Sequence, residues 1–229
     1  MSILRIVATP IGNLEDLTFR ALRVMQEADF ILCEDTRVTK KLLDYYKIKT
    51  SAISYHQHSN DFKIDKIIDL LKAGKNLALV SDAGTPGISD PGGKLVSLVR
   101  SRCDESIIIE SVPGVSALNA AVSIAGAGFD RFLFLGFLPH KKGRQTMLKK
   151  IKESEYSVVI YESKHRIVKL LEELSVLNQS LELKLEVSVA RELTKMYESF
   201  YSGDPDLILA SLLKDLNNLK GEFVVLIKK

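Results

Sequence analysis

Four short stretches of this chain carry residues that could do chemistry. "CEDTR" (33–37) sets Glu34 and Asp35 side by side, two residues before Arg37. A paired carboxylate next to a guanidinium offers either a proton acceptor beside a phosphate partner or a structural ion-pair turn. "SDAGTPGISDPG" (81–92) packs three glycines, two prolines and two aspartates into twelve positions. Glycine lets a backbone approach a ligand closely and proline keeps the loop stiff. "TPIGN" (9–13) and "SVPGVSA" (111–117) repeat the same chemistry with fewer residues.

The elements around these stretches decide whether they meet. "ILRIVA", "DFILCE", "SAISYH", "NLALVS" and "SIIIESV" read as short, continuously apolar strands. Between them run helical patterns, of which "KIDKIIDLLKAG" is the plainest, with Ile64, Ile67, Ile68 and Leu71 at i, i+3, i+4 and i+7. Such βαβα alternation predicts a parallel sheet covered on both faces, over residues 1–112. In an open parallel sheet, ligands bind outside the carboxyl ends of the strands. The four stretches follow the first, second, fourth and fifth strands, so all lie on one edge, and that edge is a predicted binding site.

The nature of the ligand is bounded mainly by exclusion. Neither the Walker pattern nor the dinucleotide fingerprint G-x-G-x-x-G is present. His56, His58, His140 and His165 fall in loops, and no Cys, His or carboxylate set has metal spacing. From the residues alone, the ligand is one met by backbone groups, nucleotide-like, beside an acidic and basic rim.

Residues 113–229 read as a second α/β domain with a mixed or antiparallel sheet, in which Asp204 and Pro205 mark a helix start. At 229 residues, 46% hydrophobic and 27% charged, the chain has the composition of a globular protein. No apolar run approaches membrane-spanning length, and "MSILRIVATP" lacks the regions of a signal peptide. Cys33 and Cys103 read as small buried residues in a reducing, cytoplasmic compartment. The net charge is only +3, but it is unevenly spread. Residues 140–152 hold six Lys or Arg and no acid, and residues 36–50 hold five against one Asp. Together these runs point to a polyanionic partner, with Tyr45, Tyr46 and Tyr55 as candidates for base stacking or for core packing.

The motifs "VATPIGNLEDLTFRAL", "CEDTR", "SDAGTPGISDPG", "VPGVSA", "GFLPHKKGR", "YESKHR" and "ARELTKMYE" occur in order along nearly the whole chain. Together they resemble the ribosomal RNA small subunit methyltransferase I family of the tetrapyrrole methylase superfamily. The resemblance implies two α/β domains with the cofactor in the cleft between them, usually as a homodimer. It implies S-adenosylmethionine as methyl donor and, as acceptor, the 2′-hydroxyl of a cytidine in the decoding region of 16S rRNA, free or in the 30S subunit. It implies cofactor contacts from Pro10, Gly12, Asp82, Ala83, Gly84, Thr85, Pro86, Gly87, Ser116 and Ala117, and from Arg191, Glu192 and Leu193. Under this reading Glu34 or Asp35 accepts the hydroxyl proton or orients the ribose, and Arg37 meets a phosphate. Lys40, Lys41, Lys141, Lys142 and Arg144 contact RNA, with neither metal nor membrane involved. Two rivals share features with it: a methyltransferase of a corrin or porphyrin intermediate, and a non-catalytic RNA-binding protein.

Overall fold

The computed structural model describes residues 1–56, 59–103, 105–179 and 185–229. His58 and the first residues of the strand expected over 182–191 lie outside that set. The chain divides into two compact units, Met1–Ser116 and Ala117–Lys229.

In the first unit the order is β1 (Ser2–Val7), α1 (Phe19–Glu27), β2 (Phe30–Cys33), α2 (Thr36–Tyr45) and β3 (Ser51–Ser54). It continues with α3 (Asp61–Lys72), β4 (Leu77–Val80), α4 (Gly92–Arg102) and β5 (Ile107–Val112). The five strands form a parallel sheet in the order β3-β2-β4-β1-β5. Strand periodicity sends alternate residues to opposite faces. Ala78 and Val80 join Ala21, Val24 and Met25 of α1 and Leu42 and Leu43 of α2 in one core. Leu77 and Leu79 meet Ile64, Ile67, Ile68 and Leu71 of α3 and Leu95 and Val99 of α4 in the other. The sheet is therefore wound on both faces, which explains why its strands read as apolar throughout. Thr18, Asp35 and Asn60 cap α1, α2 and α3 by accepting backbone N–H bonds, so each helix start is fixed by the residue that follows a strand or loop.

The second unit runs α5 (Ala117–Ile124), β6 (Phe132–Phe137), α6 (Arg144–Glu153), β7 (Ser157–Ser163) and α7 (Ile167–Gln179). Then come β8 (Glu186–Arg191), β9 (Ser199–Gly203), α8 (Pro205–Leu213) and β10 (Glu222–Lys228). Its sheet is mixed, in the order β6-β7-β10-β8-β9, with β6 and β7 parallel and the other pairs antiparallel. One face, with Val158, Ile160, Val187, Val189 and Val225, packs on α6, α7 and α8. Asp204 caps α8 and Pro205 opens it, as the sequence predicts.

Three of the sequence readings gain detail, and one of them, the burial of Cys103, changes. The basic run 140–152 is mostly helix, because Leu148 and Ile151 give α6 an inward face. Tyr55 is 1% exposed within the α3–α4 core, so it packs and does not stack on a base. Cys33 is fully buried, but Cys103 is only half-buried, and neither is in a disulfide. No helix among the described residues is long and apolar enough to cross a membrane.

Candidate active site

Four strand exits meet at the carboxyl edge of the first sheet. The exits of β1 and β4 are joined by a two-way backbone bridge: Thr9 N–H donates to Gly84 O at 2.9 Å and Gly84 N–H to Thr9 O at 3.0 Å. Gly84 makes this bridge at φ +80°, a left-handed conformation, and a Cβ there would stand 3.3 Å from Ile11 Cγ2. The conformation favours glycine, and any Cβ would also have to push Ile11 aside by a few tenths of an ångström. Thr85 Oγ1 donates to Val115 O at 2.9 Å and ties in the β5 exit. The β2 exit is tied by Asp35 N–H, which donates to Asp82 Oδ1 at 3.1 Å. The four motifs are thus one assembly.

Within the 81–92 loop, Asp90 holds the turn. Its carboxylate accepts the N–H of Gly87 and of Gly92 at 2.7–2.8 Å. The sequence reading missed Asp90, although Gly87-x-x-Asp90-x-Gly92 is the spacing of a side chain that caps its own loop. Asp82 and Ala83 stay exposed at the rim, while Pro86 is buried. Pro10 is buried and Gly12 exposed in the β1 exit; Ser116 is buried and Ala117 opens α5.

The two adjacent carboxylates have opposite characters. Asp35 caps α2 and is gripped by Arg37, with Nη2–Oδ2 at 2.6 Å. The Arg37 side-chain and backbone hydrogen bonds hold its carboxyl down to about 2. Glu34 shifts in the opposite direction. Burial pushes it up to about 7, assisted by the negative charges of Asp82 and Asp90. Of the two carboxylates, Glu34 is the one that exchanges a proton near neutral pH, which is what a general base requires. Around Glu34, Asp82 and Asp90 the edge is negative, which suits a cationic ligand, while exposed Arg37 stands at its rim.

The remaining candidate residues divide into exposed and buried. Lys40 and Lys41 are exposed on α2, and Lys40 lines a cavity of about 340 Å³ with Arg37, Asp44 and Thr50. Lys141 and Lys142 are exposed in the second unit. Arg144 is not available to RNA: it is 3% exposed, and its guanidinium lies 2.7 Å from Glu173 and 3.8 Å from Glu162. Its place in α6, four residues before Leu148 and seven before Ile151, turns it inward. Arg191 is likewise buried, donating to the carbonyls of Lys220, Tyr197 and Asn217 at 2.8–2.9 Å. These bonds tie its side chain to carbonyls of its own unit. Glu192 takes φ 51° and accepts from Glu222 N–H and Lys195 Nζ, and Leu193 is buried. Among the described residues no group of three His, Cys, Asp or Glu could hold a metal ion.

This pair of α/β units is a methyltransferase fold. It superposes on the methyltransferase CobJ with TM-score 0.68, at 16% identity, covering 100% of this chain and 93% of that one. It also matches a uroporphyrin-III C-methyl transferase from Thermus thermophilus complexed with S-adenyl homocysteine, with TM-score 0.65, 16% identity, and 99% and 97% coverage. The family model for Tetrapyrrole (Corrin/Porphyrin) Methylases matches residues 4–206. A protein named Ribosomal RNA small subunit methyltransferase I from Synechocystis sp. is 44% identical over 229 residues, 99% of this chain and 79% of the relative. The protein of that name from Thermotoga maritima is 45% identical over 205 residues, 89% of this chain and 88% of the relative. The chain belongs to the tetrapyrrole methylase family and, within it, to the ribosomal RNA small subunit methyltransferase I proteins.

Proposed function

We propose that the protein transfers the methyl group of S-adenosylmethionine to the ribose 2′-oxygen of a cytidine in the decoding region of 16S rRNA. The observation that carries the chemistry is the negative strand edge, where Glu34 shares its surroundings with Asp82 and Asp90. The residues fit the donor, which carries a sulfonium, an ammonium and no phosphate. Exposed Asp82 is placed to pair with an ammonium, and Gly84 leaves the backbone open to close approach. When bound, S-adenosylmethionine supplies the activated methyl group. Glu34 takes the proton from the 2′-hydroxyl, and Arg37, 88% exposed, meets a phosphate at the rim. Relatives named for ribosomal RNA, at 44–45% identity, favour RNA over a corrin or porphyrin acceptor. So do the exposed lysines of both units. In this reading the enzyme is a cytoplasmic homodimer; light scattering at twice the mass of 25.5 kDa checks the pairing.

The test is methyl transfer from labelled S-adenosylmethionine to 30S subunits, naked 16S rRNA and a tetrapyrrole precursor. Label on a cytidine 2′-oxygen supports the reading. Label on the tetrapyrrole alone replaces the acceptor, and cofactor binding with no label anywhere removes RNA methylation.

Two substitutions probe the assignments. Asp35→Asn keeps a good helix cap and loses only an exposed ion pair, so turnover should stay within about threefold. A loss of a hundredfold or more would move the base role to Asp35. The double reversal Lys141→Glu with Lys142→Glu should weaken RNA binding and lower the slope of log affinity against log salt by about 2. An unchanged slope would take these lysines off the phosphate backbone.

A further inference from the structure

The parallel pairing of β6 with β7 contains an irregularity. Phe134 stands opposite Val159 but Phe137 stands opposite Tyr161, so β6 spends three residues where β7 spends two. The extra residue is a β-bulge, and Gly136 within it takes φ 59°, which disfavours any residue with a Cβ. Without the bulge, Phe134 and Phe137 would point to opposite faces. With it, both rings meet the same side chain: their centroids lie 4.9 and 5.7 Å from that of Tyr161, edge to face.

The bulge spends sequence and backbone freedom to aim a large apolar ring outward, for Phe137 is 52% exposed. Its support is fixed. The Arg166 guanidinium lies over the ring at 5.9 Å from the centroid. Arg166 is itself held by Leu138 O at 2.6 Å and by Glu162 at 2.7 Å. Tyr161 is held in turn, its hydroxyl accepting the N–H of Leu118 at 3.1 Å.

The exposed charges in the segments that follow β6 and β7 have one sign. The buried arginines Arg144 and Arg166 are matched by Glu162 and Glu173. Exposed Lys141 and Lys142 follow β6 and exposed Lys164 follows the neighbouring β7, and none of the three has an ion-pair partner among the described residues. An outward aromatic on a rigid base, with exposed unmatched lysines in the segments that leave its own strand and the neighbouring one, suits a base with its phosphates better than an apolar protein surface. We propose that Phe137 is a stacking platform for an unpaired base of the RNA substrate, with Lys141, Lys142 and Lys164 on the adjoining phosphates. The proposal rests on the RNA reading above and adds the subsite that grips the strand.

The chain contains no tryptophan, so Phe137→Trp places the single tryptophan on the platform, to be excited selectively over the tyrosines. Adding a mixed-sequence single-stranded oligoribonucleotide to the full chain should quench its emission. In the same assay Phe137→Leu, which keeps apolar bulk but no π face, should weaken oligonucleotide binding about ten- to a hundredfold. Its affinity for S-adenosylmethionine, by calorimetry, should match the wild type. No quenching together with unchanged affinity of the Leu variant would overturn the platform. So would a Leu variant that halves the mass in light scattering yet binds RNA normally, since the ring would then serve a second copy of the chain. If the wild type labels no RNA but the Trp variant is still quenched, the methylation reading fails and the platform stands.

Discussion

Glu34→Gln is expected to cut turnover at saturating cofactor by about 10²- to 10⁴-fold, the range for loss of a positioned general base. The wild type should lose rate tenfold per pH unit below about 7, where Glu34 takes up its proton, and level off above it. In the Gln variant that limb should vanish. Burial, with Asp82 and Asp90 adding to it, causes the raised value, so the same substitution has a stability signature. An unfolded glutamate releases its proton near the ordinary value of 4.5, whereas folded Glu34 keeps it to about 7. The folded state therefore holds the extra proton between these values, and stability falls as pH rises through that window. Gln carries no charge, so the variant should match the wild type near pH 4 and exceed it at pH 8 by about 1–2 kcal/mol after solvent screening. Paired urea titrations at the two pH values measure this. A wild-type rate profile retained by the variant would remove Glu34 as base, and a variant no more stable at pH 8 would remove its buried charge.

The sequence made the first unit readable because a doubly wound sheet leaves plain marks. Strands buried on both faces become unbroken apolar runs, and the ligand edge collects the Gly-Pro loops. What it could not rank was Glu34 against Asp35, since adjacent carboxylates look alike until one of them caps a helix. Capping commits Asp35 to Arg37 N–H and leaves Glu34 to face Asp82. The basic run at 140–152 misled in a different way. Counting charge ignores helix phase, and phase is what buries Arg144 while Lys141 and Lys142, before the helix, stay outside. Arg191 was legible by period, because Val187, Val189 and Arg191 alternate onto the same face of β8. Phe137 was not, since a bulge shifts the alternation by one residue and only Gly136 hints at it.

Glu162→Ala should be the most destabilising of the substitutions considered, at about 3–5 kcal/mol. Glu162 has the strand parity of Val158 and Ile160, which carries it under the helices with only 1% of its surface exposed. There it lies between Arg166 at 2.7 Å and Arg144 at 3.8 Å. A buried ion pair adds little net stability, but removing one partner strands the other away from water. Here the loss would leave two guanidiniums facing each other with only Glu173 to balance them. Arg166→Met in the Glu162→Ala background should recover part of the loss, because the uncompensated cation is gone. Urea denaturation of the single and double variants gives the coupling directly. A single variant within 1 kcal/mol of wild type would mean that water already reaches these groups. The network also bears on function, because Glu162 fixes the arginine that lies over Phe137. Where Glu162→Ala still folds, RNA affinity should fall with it while S-adenosylmethionine affinity holds. A fold-stabilising carboxylate and an RNA-binding surface would then be two ends of one buried chain of contacts.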